Sequence, residues 1–120
     1  MYINGFVLAV PDANKDAYRV VAEKFWDIVK DYGAIEHVEL WEADVPDGTQ
    51  TDFRRAVQVE GDEKVVFSWV IFPDKATADA SHERMQNDAR MQAMYMETMP
   101  FDGKRMIYGA FEPLVWKGRQ

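Results

Sequence analysis

Along this chain apolar positions first alternate with polar ones, then recur every three or four residues, then alternate again. Tyr2 to Val10 is aromatic and β-branched and stops at Pro11-Asp12, the pattern of a first strand. Gly5 inside it signals a bulge or a close neighbour. From Asn14 the period changes to helical. Tyr18, Val21, Ala22, Phe25, Ile28, Val29 and Tyr32 form one apolar stripe, with Asn14 or Asp12 available as its cap and Gly33 as its left-handed end. Ala34 to Glu42 returns to period two, so Ile35, His37, Glu39 and Trp41 share one face and Glu36, Val38, Leu40 and Glu42 the other. With Val38 and Leu40 taken as the helix-facing pair, His37, Glu39 and Trp41 are expected on the opposite side of the sheet.

Asp44-Val45-Pro46-Asp47-Gly48 is a cluster of turn formers, and Asp52 to Glu60, carrying Phe53, Ala56, Val57 and Val59, reads as an extended segment. After a Gly61-Asp62 turn, Val65 to Phe72 is nearly continuous apolar sequence broken only by Ser68. That is the mark of a central strand buried on both faces, stopped by Pro73. Asp74 then caps a second helix with Ala78, His82, Met85 and Ala89 in phase, and an extra turn at Asn87-Asp88 leads into Met91, Met94, Met96 and Met99. The last strand is expected from Lys104 to Trp116, ended by Gly118. Strand, helix, strand, extended segment, strand, helix, strand is the order of a split βαβ unit. The fold class predicted is α+β: a ferredoxin-like βαββαβ antiparallel sheet with both helices on one face, in a single domain spanning residues 1–120. The other sheet face would then carry Trp41 and either Trp69 or its flanking valines. An aromatic face without helices is expected to pair with a second copy about a twofold axis, making a homodimer.

Composition narrows the function classes. Aromatic residues make up 13% of the chain and hydrophobic residues 48%, enough for one core of its own. Cysteine is absent, which removes disulfides, thiolate metal sites and cysteine nucleophiles. A formal charge of −7 without a Lys/Arg cluster argues against nucleic acid and against anionic lipid. No apolar run approaches the ~20 residues of a membrane span and Met1 to Phe6 has no basic leader, so a cytoplasmic location is expected.

His37 and Glu39 are the candidate catalytic residues, because side chains two apart on a strand project together as base and orienter. The plainer alternative has His37 partly exposed and Glu39 paired with Arg54 or Arg55. His82 on its helix reads as a packed residue with one hydrogen bond. With no HxH or HxxxH spacing, no metal and no cofactor is assigned. The methionines read as flexible filler of a helix-to-sheet or dimer contact rather than as soft-metal ligands. Asp102-Gly103-Lys104-Arg105 is turn chemistry whose cations meet carboxylates, with Arg105 the alternative clamp for an anionic ligand. Gly109 in the last strand should admit a close backbone neighbour. Trp41, Arg55, Trp69, Arg105 and Tyr108 complete the candidate contacts to a bound molecule.

Asp44 to Gly48, Val65-Val66-Phe67-Ser68-Trp69 and above all Met99 to Glu112 resemble the YbaA-like proteins of domain-of-unknown-function family 1428, and the resemblance runs over essentially the whole chain. It implies a ferredoxin-like fold of the dimeric α/β-barrel type, in which two sheets face each other. It implies no activity. Other dimeric α/β barrels include cofactor-free monooxygenases, haem-degrading enzymes, chlorite dismutases and stress-associated binding proteins, so the fold is compatible with several functions. The chain departs from the family at Asp88-Ala89-Arg90-Met91, where Asp-Pro-Arg-Met is the expected run. The expectation is therefore a homodimer holding a small, partly aromatic ligand between sheet and helices. The alternative is a cofactor-independent monooxygenase or isomerase with His37 or Glu39 as base and Trp41, Trp69 and Tyr108 around the cavity.

Overall fold

A computed structural model of the chain describes residues 1–118. Its regular elements in chain order are β1 (Tyr2–Pro11), α1 (Lys15–Val29), β2 (Glu36–Trp41), α2 (Phe53–Ala56), β3 (Glu63–Phe72), α3 (Lys75–Gln86), α4 (Ala89–Tyr95) and β4 (Ile107–Phe111). The four strands form one sheet in the order β2-β3-β1-β4 with every neighbouring pair antiparallel. This is an α+β architecture with β2 and β4 at the edges.

The helical stripe read from the sequence is the buried one. Tyr18, Ile28 and Val29 of α1 are buried, and Val21, Ala22, Phe25, Trp26 and Tyr32 are partly so. Val21, Phe25, Trp26, Ile28, Val29 and Tyr32 meet Val70 and Phe72 of β3, Tyr2 and Phe6 of β1, Ala78 and Met85 of α3, and Met91 and Met94 of α4 in one core, while Tyr18 and Ala22 pack with Leu8, Val10 and Val66 in a second. Most of the methionines thus fill the gap between helices and sheet as expected, whereas Met96 is 87% exposed. Asp74 caps α3 by accepting from the Thr77 amide at 2.7 Å. Asp88 caps α4 in the same way through Arg90, so the position that Ala89 occupies is the first of a helix, where proline is also well tolerated. α1 differs. Neither Asn14 nor Asp12 caps it with a side chain: residues 12–14 form a 3-10 turn, and the Asn14 amide donates instead to the Pro100 carbonyl at 2.9 Å.

Two other expectations are corrected. Residues 53–56 are a short helix, not an extended segment, because Asp52 accepts from the Arg55 amide at 2.8 Å and from the Gly48 amide at 3.0 Å. Behind it Val57 is fully buried against Ala9 and Val65, and Gln58 takes the left-handed conformation with φ 52°. The last strand is also shorter than residues 104–116. Its start is consumed by a 3-10 turn over Gly103–Arg105, whose cap Asp102 accepts from the Lys104 amide at 3.0 Å. Its end comes just before Pro113, which has no N–H for the ladder and restricts Glu112.

Register assigns the faces. Leu8, Val10 and Phe6 of β1 point to the helices with Val66, Ser68 and Val70 of β3, while Ile3, Val7, Phe67 and Trp69 point away. Gly5 and Gly109 lie opposite each other, and a Cβ on either would meet the Phe111 ring at 3.6 Å and 3.3 Å. The close neighbour that these glycines admit is an aromatic ring, not the backbone expected at Gly109.

Between α1 and β2, Gly33 adopts φ 102°, and a Cβ there would lie 2.5 Å from Thr77 Cγ2 of α3. That turn delivers Ala34 and Ile35 to the sheet, where the Ile35 amide donates to the Ile71 carbonyl at 2.8 Å. Gly33→Ala should destabilise the fold by about 1–2 kcal/mol for the left-handed conformation, with the Thr77 clash in addition, as measured by urea unfolding.

Candidate functional site

β2 pairs with β3 through His37↔Val70, Glu39↔Ser68 and Trp41↔Val66. Those β3 residues face the helices, and so do His37, Glu39 and Trp41. The expectation that this trio faces away, with Val38 and Leu40 inward, is reversed: Leu40 is 44% exposed on the other face. The cause lies in the sheet, which is apolar on both sides, so the alternation Val38/Leu40 fits either side equally well. The deciding residue is Tyr18 of α1.

The Tyr18 hydroxyl, carried on the buried stripe of α1, donates to Glu39 Oε1 at 2.6 Å, and His37 Nε2 lies 2.6 Å from Glu39 Oε2. A carboxylate only accepts, so the second bond places a proton on His37 Nε2. The His37 side chain is 6% exposed and that of Glu39 25%. The imidazole is fixed by ring contacts with Phe25 at 5.6 Å and Trp26 at 6.4 Å between centroids. Burial drives the Tyr18 pKa far above its ordinary value, and the charge of Glu39 and the hydrogen bond to it push the same way. Tyr18 is therefore a permanent neutral donor.

This Tyr18-Glu39-His37 chain stands between two spaces. On the inside is a partly open cavity of about 220 Å³ between sheet and helices, walled by Phe6, Leu8, Val21, Phe25, Val70, Met91, Met94, Met99, Phe101 and Met106, with the exposed Tyr95 also lining it. On the outside is a cleft of about 820 Å³ along the seam of α1 and β2, bordered by Lys15, Arg19, Trp26 and Trp41. Tyr18, Ala22, His37 and Glu39 line both. Trp41 therefore belongs to the cleft, with Lys15 Nζ 5.2 Å above its ring.

The remaining candidates do not converge there. Trp69 sits on the opposite face, where its indole N–H donates to Glu36 at 3.1 Å. Tyr108 on the edge strand stacks on Phe6 at 6.2 Å and is 75% exposed. Arg55 pairs with Asp52 and Arg54 with Glu42, so neither meets Glu39. Arg105 is held in a two-pronged pair with Glu63, both bonds 2.7 Å, and also donates to the Gln58 carbonyl at 2.8 Å. Its guanidinium holds the Glu63 carboxyl below the usual carboxylate range. This agrees with the plainer reading of Arg105 as a partner for carboxylates. His82 makes one hydrogen bond, to Asn4 at 3.0 Å, and meets the Phe72 ring edge-on at 6.2 Å, although the residue as a whole is exposed. Among the described residues no three His, Asp or Glu side chains are grouped to hold a metal ion, and no helix is long and apolar enough to cross a membrane.

Tyr18 is the residue that sequence reasoning missed as functional. A signal was present: a tyrosine on an apolar stripe brings a hydroxyl that needs a partner once buried.

The molecule is thus an α+β protein whose antiparallel sheet carries α1, α3 and α4 on one face, with a largely apolar cavity, partly open to solvent, between them. The chain belongs to the DUF1428 family of proteins of unknown function, whose model matches residues 1–103. It is 53% identical over 114 residues to the uncharacterized protein YbaA of Escherichia coli K12, covering 95% of this chain and 97% of the relative, and equally so to that of Shigella flexneri. Among solved structures, an uncharacterized NIPSNAP domain protein from Burkholderia xenovorans shares the fold, with TM-score 0.58 and 12% identity over 99% of this chain and 100% of that one.

The direction of the Tyr18 shift sets a pH dependence. A pKa raised on folding contributes stability that is complete below the unfolded value of about 10 and is lost as pH rises beyond it. The stability difference between the wild type and Tyr18→Phe should therefore be constant from pH 7 to pH 9. Above pH 10 it should move against the wild type by up to about 1.4 kcal/mol per pH unit, read from urea unfolding.

Proposed function

We propose that this protein is a cytoplasmic homodimer that binds a small, largely apolar molecule in the cavity between sheet and helices. The observation that carries the reading is the cavity itself: about 220 Å³ of space lined by aromatic, aliphatic and thioether side chains, with Tyr18, His37, Glu39 and Ser68 as its polar wall. Ligand sites have this composition, with many apolar contacts for affinity and a few placed polar groups for orientation. The cleft outside the same wall offers an approach from solvent.

The dimer is supported by the other sheet face. α2 and its following residues cover one end of it through Val57 and Phe53, and Pro113, Val115 and Trp116 border a depression of about 500 Å³ elsewhere on it. Between them Leu40, Phe67, Ile107 and Phe111 are 42–61% exposed, a contiguous apolar patch of the kind that marks an interface. In this reading the sheets of two ferredoxin-like units pack face to face as a dimeric α/β barrel.

A second reading follows from the hydrogen-bonded His37 and Glu39 at the edge of an apolar cavity. Such a pair can take a proton from a bound molecule, as a cofactor-independent monooxygenase or an isomerase requires. In this reading Glu39, which accepts from Tyr18 and His37, is the base, and His37 orients it.

Two measurements test the proposal. Titration with toluene should shift the methyl resonances of Met91 and Met94, and Ala22→Phe, which fills the shared wall, should abolish the shifts while leaving cooperative unfolding intact. Unmoved methyls in the wild type would refute the cavity reading. In sedimentation equilibrium the wild type should have twice the 13.9 kDa of one chain, and Phe67→Glu with Ile107→Glu should return it to a single chain. A wild type that sediments at 13.9 kDa removes the dimer.

A further inference from the structure

The chemical class of ligand can be read from what the cavity wall provides. This step rests on the ligand-binding reading above. A cavity of about 220 Å³ lies between the 150 Å³ known to hold one benzene ring and the roughly 300 Å³ where drug-sized ligands begin, so a single ring with one small substituent fits.

The polar wall then selects the substituent. Glu39 uses one acceptor position on each oxygen, Oε1 for Tyr18 and Oε2 for His37, whereas a carboxylate offers about four. What remains on Glu39 is acceptor capacity, beside the hydroxyls of Ser68 and Tyr95, which can donate or accept. No lysine or arginine is among the described residues lining the cavity, and the His37 N–H is already given to Glu39. An anionic ligand would be placed beside a carboxylate without a cation to meet it, which is costly in an apolar surrounding. An ammonium brings three donors, and the thioether, aliphatic and aromatic walls can satisfy few of them. A hydroxyl or a ring N–H brings one.

We propose that the cavity takes a neutral, single-ring molecule that donates one hydrogen bond, through a hydroxyl or a ring N–H, to the Glu39 carboxylate. Tyr18 and His37 act as positioning residues. Their two bonds hold the carboxylate in one orientation and leave a position open on each oxygen, while the Tyr18 hydroxyl competes with the ligand's donor for the charge on Oε1.

The competition makes the test specific. Calorimetric titration of the wild type with toluene, phenol, benzoate and benzylamine at pH 7 should give phenol binding about tenfold tighter than toluene, as one charge-assisted hydrogen bond supplies. Benzoate and benzylamine should bind at least about tenfold more weakly than phenol. Tyr18→Phe vacates an acceptor position and should tighten phenol while leaving toluene unchanged, and Glu39→Gln should narrow the gap between phenol and toluene. Phenol equal to toluene, benzoate or benzylamine equal to phenol, or phenol weakened in Tyr18→Phe, would overturn the assignment while leaving cavity binding in place. Failure of toluene and phenol alike would overturn both.

Discussion

A carboxylate placed beneath an apolar helix is the constraint from which much of this structure follows. Removing Glu39 from water is unfavourable unless its oxygens are matched, and the matching donors come from the helix above it and from its own strand, Tyr18 and His37. β2 is an edge strand, hydrogen-bonded to β3 on one side only, so its seating depends on this side-chain pairing more than a central strand's would. Once Glu39 faces the helices, His37 and Trp41 must do so too, and Val38 and Leu40 must face away. One hydrogen-bonded carboxylate thereby sets the polar wall of the cavity and adds apolar surface to the opposite face.

That opposite face explains a second property of the chain. The β1 and β3 strands are apolar in both phases of their alternation, so the sheet has two faces to bury; α1, α3 and α4 cover one, and only the short α2 lies on the other. The segment after β2 folds back over one end through Val57, and the Arg105–Glu63 pair, with its bond to the Gln58 carbonyl, ties that segment to the turn before β4. A bidentate pair this enclosed is a fastening between residues 58–63 and the turn before β4, two regions distant in sequence. It leaves Arg105 with no freedom to serve as a ligand clamp.

Much of the architecture was legible from the residues. The stripe of α1, the Gly33 stop, the Asp74 cap, the extra turn at Asn87-Asp88 and the apolar run of β3 all follow from local periodicity and turn chemistry. Failures occurred where a short-range pattern has two solutions. Residues 52–60 contain enough apolar and β-branched residues for a strand, but Asp52 captured the following amides and turned them into a helix. Asn14 has the chemistry of a cap, yet its amide found the Pro100 carbonyl, which is remote in sequence.

For the site, His37 and Glu39 were identifiable as a pair from their spacing, since two residues apart on a strand always share a face. Which face was not identifiable, because hydrophobic alternation distinguishes the sides of a sheet only when one of them is polar. The sequence by itself determined the elements, their order and the pairing of that histidine with that carboxylate, all consequences of local backbone geometry. Only the tertiary structure decided that Tyr18 closes the hydrogen-bond chain, that the chain divides a cavity from a cleft, and that Arg54, Arg55 and Arg105 are engaged in ion pairs elsewhere. Those outcomes depend on contacts between residues far apart in the chain, where no local period carries information.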